Sequence, residues 1–133
     1  EQGFRTLAVD RDIVAIDTLT HESRRRGLSI QARAVDLEKG GPFLNADSFD
    51  LIVVVHYLHR PLMPALVSAI RPGGVLVYET FTRAQAARGK PTNPAFLLEP
   101  GELPMLVRPL QIAASREGDF DGRSLASVVA VRR

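Results

Sequence analysis

Apolar and polar positions change period several times along the chain. Residues 6–10, TLAVD, are an apolar run that stops at an acid, and they predict a short strand ending at Asp10. The period then turns helical through RDIVAIDTLTHESRRRG. Asp12 can cap the start, Ile13, Ile16 and Leu19 fall on one side, Arg24, Arg25 and Arg26 complement the C-terminal dipole, and Gly27 ends the helix. A second strand is predicted over SIQARAVD at 29–36, again closing on an acid. After the loop LEKGGPFLNADS, the run LIVVV at 51–55 lacks polar alternation, as expected of a strand covered on both faces in a parallel sheet. Pro61 and Pro64 suit the first turn of a helix over 61–70, with Leu62, Leu66, Val67 and Ile70 facing inward. RPGG at 71–74 breaks that helix, and VLVYETF at 75–81 is the next strand.

The tail has a different texture. Residues 82–100 are polar-rich with an apolar AFLL inset, and they read as a substrate-side loop, a flap rather than a core element. GELPMLVRP predicts a short helix despite Pro104. LQIAASREGDF and SLASVVAVRR, separated by a turn at DFDG, predict a terminal hairpin. Repeated strand–helix units imply an α/β, doubly wound, Rossmann-like sheet, mostly parallel with an antiparallel C-terminal hairpin. At 133 residues the chain fits one domain.

Composition narrows the classes of function. With 45% hydrophobic and 24% charged residues the chain can build a packed core. Its formal charge is only +2, since 17 basic residues, 15 of them Arg, face 15 acids. That balance permits an anionic partner without implying one, and the cluster Arg24 to Arg26 has no aromatic platform beside it, so nucleic acid is not favoured. The absence of Cys excludes disulfides and thiolate nucleophiles. Three scattered histidines do not make a metal site. No apolar run reaches membrane-spanning length, no secretory leader is visible, and a cytoplasmic location is expected.

In an open α/β sheet, ligands bind beyond the carboxyl ends of the strands. The residues due there are Asp10 with Arg11, Asp36 with Leu37, His56 with Tyr57, and Glu79 with Thr80. A carboxylate at Asp10 can accept both hydroxyls of a ribose cis-diol; the competing role is to cap the next helix or pair with Arg11. Asp36 can accept from an exocyclic amine while Leu37 presses against a flat base; the competing role is a solvated turn acid. His56 can orient or deprotonate an acceptor, with Tyr57 beside it. His59 and Arg60 can bind an anionic substrate, although Arg60 equally suits a surface ion pair. Tyr78 is expected to pack in a layer, with Glu79 and Thr80 at the substrate mouth. RGKP at 88–91 lacks the strand–turn–helix context of a phosphate loop.

Taken in order, TLAVDRD, ARAVDLE, FDLIVVVHYLHRP, IRPGGVLVYETF and GKPTNPAFLLEPGEL resemble the class I S-adenosylmethionine-dependent methyltransferases, in particular the small bacterial tellurite-resistance branch. The resemblance implies transfer of a methyl group from S-adenosylmethionine to a small-molecule acceptor. It implies that Asp10 binds the cofactor ribose, that Asp36 and Leu37 lie beside adenine, and that His56 lies near the methyl-transfer locus. It further implies a sheet in the order 3-2-1-4-5-7-6 with strand seven reversed. That family's first strand and glycine-rich turn would precede GFRTLAVD, so residues 1–133 are expected to be a partial methyltransferase domain without its first strand. The rival readings are a nicotinamide-dependent oxidoreductase, which also uses an acid after its second strand, and a degenerate fold serving as a dimerisation or RNA-binding module. A homo-dimer is left open.

Overall fold

The computed structural model describes residues 6–10, 21, 24–26, 30–34 and 46–133. The chain divides into two compact units, Glu1–Gly41 and Pro42–Arg133. In the first, strands β1 (Thr6–Asp10) and β2 (Ile30–Ala34) pair in parallel, in register from Thr6↔Ile30 to Asp10↔Ala34. A parallel pair needs a crossover between its strands, and His21, Arg24 and Arg25, which lie between them in sequence, are helical. The expected strand–helix–strand order is present. The predicted cap Asp12, the apolar positions Ile13, Ile16 and Leu19, and Gly27 lie outside the described residues.

The second unit is a four-stranded sheet in the order β3-β4-β6-β5. Strand β3 (Phe49–Val55) leads through a 3-10 turn (Arg60–Leu62) and helix α1 (Met63–Ala69) into β4 (Ile70–Phe81), which lies parallel to it. The 3-10 turns Arg83–Ala87 and Pro94–Phe96 and helix α2 (Glu102–Leu106) follow. The hairpin of β5 (Gln111–Phe120) and β6 (Arg123–Val131) then inserts β6 antiparallel beside β4 and leaves β5 at the rim. Three of the four strands therefore run one way and β6 runs against them. The hairpin turns at Asp121 and Gly122, both with positive φ, where the sequence reads DFDG.

Helices α1 and α2 cover one face of this sheet, α1 against β4 and α2 against β6. Leu76 and Tyr78 of β4 and Val128 and Ala130 of β6 point to that face and are buried, together with Met63, Leu66 and Val67 of α1 and Leu103 of α2. Each large apolar side chain enclosed in this way contributes about 1.5–3 kcal/mol. The opposite face is open at β3, where Leu51, Val53 and Val55 are 45–58% exposed. A continuous apolar run was expected to be covered on both faces; the described part of this unit covers one.

The strand after α1 begins earlier than its pattern predicts. Ile70 leaves the helix already extended (φ −73°, ψ 128°) and pairs with Phe49, and the register then slips so that Val75 faces Leu51. RPGG is thus a loop-out within the strand rather than a break before it. Gly73 takes φ 84°, and its amide donates to the Arg132 carbonyl at 2.6 Å. Arg132 also donates to Asp47 and to the Ile70 carbonyl, while Arg71 reaches Asp50 at 3.1 Å. These contacts close the amino end of β3 against the end of β6.

Gly74 has no room for a side chain. A Cβ there would lie 2.8 Å from the Arg71 carbonyl oxygen and 3.0 Å from that of Asp50. Gly74→Ala is expected to lower stability by about 1–3 kcal/mol, measured by urea unfolding, because backbone atoms must move to admit it.

Candidate functional site

The carboxyl ends of β3 and β4 assemble the best-defined group of candidate residues. His56 leaves β3 in a left-handed conformation, φ 54°, uncommon for a side chain larger than Gly. Its amide donates to the Glu79 carbonyl at 2.8 Å, and its ring stacks on Phe81 with centroids 4.6 Å apart. The imidazole is therefore held at the strand end by its own backbone and by an aromatic neighbour. The next peptide is held as well. Tyr78, fully buried, donates its hydroxyl to the Tyr57 carbonyl at 2.5 Å, and burial pushes that phenol's pKa far above its ordinary value. Tyr78 thus stays a proton donor at any physiological pH.

Glu79 and Thr80 do not act together. Adjacent residues of a strand face opposite sides. Thr80 is 1% exposed on the helix-covered face with Tyr78, whereas Glu79 faces the other way. Pairing registers place Glu79, Ser127 and Arg116 in one row across β4, β6 and β5. Ser127 Oγ donates to Glu79 Oε1 at 2.6 Å, and Arg116 lies 3.7 Å from the same oxygen with its guanidinium 4.0 Å above the Phe120 ring. Ser127, Arg116 and Phe81 were not singled out from the sequence. Ser127 and Arg116 could have been found only by knowing the register of a hairpin that begins more than thirty residues beyond Glu79, whereas Phe81 shares the Glu79 face by the alternation of β4 itself.

Residues 82–100 are anchored where a flap was expected. Leu97 and Leu98 are buried, Thr82 bridges to Leu98, and Gln85 accepts from the Ser124 amide at 2.8 Å. Asp119 accepts from Ser124 and pairs with Arg88 at 2.8 Å, and these two partners hold its carboxyl below the usual range. The longest exposed stretches are 86–90 and 92–96. Between the Arg83–Ala87 turn and residues 92–99 lies a cleft of about 420 Å³. Ala86, Ala87, Pro94 and Leu97 line it, with Thr92 and the Arg83–Glu99 ion pair.

Arg60 is engaged inside the protein. Its Nε and Nη2 donate to the two carboxylate oxygens of Glu102 at 2.6 and 2.8 Å, and it also donates to the carbonyls of Leu97 (2.8 Å) and Ala95 (3.3 Å). The bidentate hydrogen bond from Arg60 lowers the Glu102 pKa and raises that of Arg60. His59 precedes this turn with extended backbone, and its carbonyl accepts from the Leu62 amide at 3.0 Å. In the first unit Asp10 ends β1, while Arg11, Asp36 and Leu37 lie outside the described residues. Among the described residues no group of His, Asp and Glu could hold a metal ion, and no helix is long and apolar enough to cross a membrane.

No family model matches the chain, and no curated protein matches it in sequence. Solved structures do. TehB from Haemophilus influenzae superposes with a TM-score of 0.80 at 15% identity, over 98% of this chain and 51% of that one. The fold is that of the class I methyltransferases. The chain spans about half the length of TehB. The N-methyltransferase NodS from Bradyrhizobium japonicum WM9 has the methyltransferase fold too, with a TM-score of 0.72 at 19% identity over 97% of this chain and 74% of its own. The [4+2]-cyclase SpnF reaches 0.71 at 13% identity, over 95% of this chain and 65% of its own. One fold thus carries different named reactions, and it does not by itself decide the chemistry. The observed order β3-β4-β6-β5, with β6 reversed, reproduces the 4-5-7-6 half of the methyltransferase sheet expected from the sequence.

Two measurements check this geometry. At His56 the left-handed backbone favours glycine, so His56→Gly is expected to be more stable than His56→Ala by about 1 kcal/mol in thermal unfolding. The Glu102 pKa is depressed below 4.5 in the folded chain, so its stabilisation is fully present above that pH and disappears as pH falls through the folded value. The stability gap between the native protein and Glu102→Gln is expected to be roughly 1–2 kcal/mol from pH 7 to pH 5. That gap should shrink as the pH falls below 4.5 in urea unfolding followed against pH.

Proposed function

We propose that the protein takes part in S-adenosylmethionine-dependent methyl transfer to a small-molecule acceptor. The observation that carries this reading is the fold likeness to methyltransferases, one of which, NodS, is solved in complex with S-adenosyl-L-homocysteine. The donor set suits that cofactor. Asp10 closes one strand of a parallel pair, opposite Ala34, and Asp36 follows Ala34 by two residues in sequence. Asp10, with Arg11 beside it, accepts the two ribose hydroxyls. Asp36 accepts from the adenine amine, and Leu37 packs on the base.

The bound cofactor supplies an electrophilic methyl on a sulfonium, and the chain's residues handle the acceptor. His56, held by the Phe81 stack, orients the acceptor and takes its proton where the nucleophile is an alcohol or amine. A soft anionic nucleophile needs no such base. Tyr57 and His59 line the acceptor side, and Glu79, buttressed by Ser127, faces it with a carboxylate. Thr80, enclosed on the far face, and Arg60, bound to Glu102, are given no acceptor contact. Residues 82–100 cover the acceptor and limit water.

Calorimetry with S-adenosyl-L-homocysteine tests the assignment directly. Asp10→Ala is expected to weaken binding by about 10- to 100-fold, the loss of hydrogen bonds to a charged acceptor, with no binding of NAD by either protein. Equal affinity in the native protein and the variant would remove Asp10 from the site.

A further inference from the structure

The sequence suggests Arg60 as a ligand for an anionic acceptor, yet the structure turns it onto two other stretches of the chain. Arg60 begins the turn four residues after His56. Its fork meets Glu102 at the start of α2, and it also holds the Ala95 and Leu97 carbonyls. Glu102 is doubly used, because its Oε1 also accepts from the Glu99 amide at 2.8 Å. The pair is part-buried, with side chains 34% and 19% exposed, so it is less screened than a surface pair. A lysine could not reproduce it, since a point charge has no planar fork for two carboxylate oxygens and two carbonyls. Pro94 and Leu97, on the stretch so held, also line the 420 Å³ cleft.

We propose that Arg60 and Glu102 are positioning residues that join the loop carrying His56 and Tyr57 to residues 94–99, so that a displacement of one is passed to the other. This rests on the reading of 82–100 as the acceptor side. The backbone leaving β3 is held at the Tyr57 carbonyl by Tyr78 and runs on into Arg60, whose side chain reaches the Leu97 carbonyl. The stretch 94–99 is held by Arg60, by Glu102 and by the Leu98 amide on the Phe81 carbonyl at 2.9 Å. Arg60 belongs to the first segment and is bonded to the second, so its release removes one restraint from each. An acceptor seated against 94–99 would thereby set the position of His56 through a chain of hydrogen bonds.

Amide hydrogen exchange on the protein tests the coupling. Two groups of amides report it: His56 and Leu62 on the loop, and Leu97, Leu98 and Glu99 on the held stretch. Arg60→Met is expected to speed exchange at both groups together, tenfold or more, with amides of the β5–β6 hairpin unchanged. Arg60→Lys should restore part of the protection at Glu99 but not at Leu97. Glu102→Gln, which keeps an oxygen for the Glu99 amide, should still expose the loop group. Faster exchange at 97–99 with His56 and Leu62 unchanged would mean a local clamp and would overturn the coupling, as would no change in either group. If Arg60→Met fails to fold, the same two groups are read in Arg60→Lys and Glu102→Gln. S-adenosyl-L-homocysteine affinity is measured in parallel. Its absence in the native protein would defeat the methyl-transfer reading while leaving the exchange result to judge the coupling.

Discussion

Strand β4 has hydrogen-bonded neighbours on both sides, β3 parallel and β6 antiparallel, and this double ladder decides where every side chain from 75 to 81 points. Leu76, Tyr78 and Thr80 go under the helices; Val75, Val77, Glu79 and Phe81 go to the other face. A slip of one residue would exchange the two sets and drive the Glu79 carboxylate into the core. The alternation also puts the Tyr78 hydroxyl under the Tyr57 peptide and the Phe81 ring beside His56. Core and candidate site are therefore two faces of one strand.

Arginine has a structural part in the same geometry. Six arginines, Arg60, Arg71, Arg83, Arg88, Arg116 and Arg132, each lie within ion-pair distance of an acid. Arg71 and Arg132 close one end of the sheet, and Arg60 and Arg88 tie down the segment that crosses the other. Most of these pairs are exposed and contribute little singly. Their value is directional, because a planar fork reaches carboxylate and carbonyl oxygens of segments distant in sequence.

The fold narrows the chemistry without choosing it. TehB, NodS and SpnF share this architecture, yet one is named for methyl transfer to nitrogen and another for a [4+2] cyclisation. Specificity in such a fold is set by what stands at the strand ends. The carboxyl ends of β3 and β4 in this chain carry a histidine with left-handed backbone and a carboxylate steadied by a serine, beside a segment pinned at both ends.

The order of strands and helices was legible in the sequence because each depends on a local period: the run 51–55, the proline-started α1, and the hairpin around Asp121 and Gly122 all stand where their patterns place them. The strand-end position of Asp10 was legible for the same reason. What the sequence could not supply was pairing across distance. Whether Arg60 meets a ligand or Glu102, and whether Ser127 and Arg116 join the Glu79 row, depend on pairing between segments many residues apart. The register is set by packing and by the loop-out at 71–74. Local periodicity determined the elements of this protein, and tertiary structure alone decided which charges face one another, because a side chain's partner across a sheet is chosen by the fold as a whole.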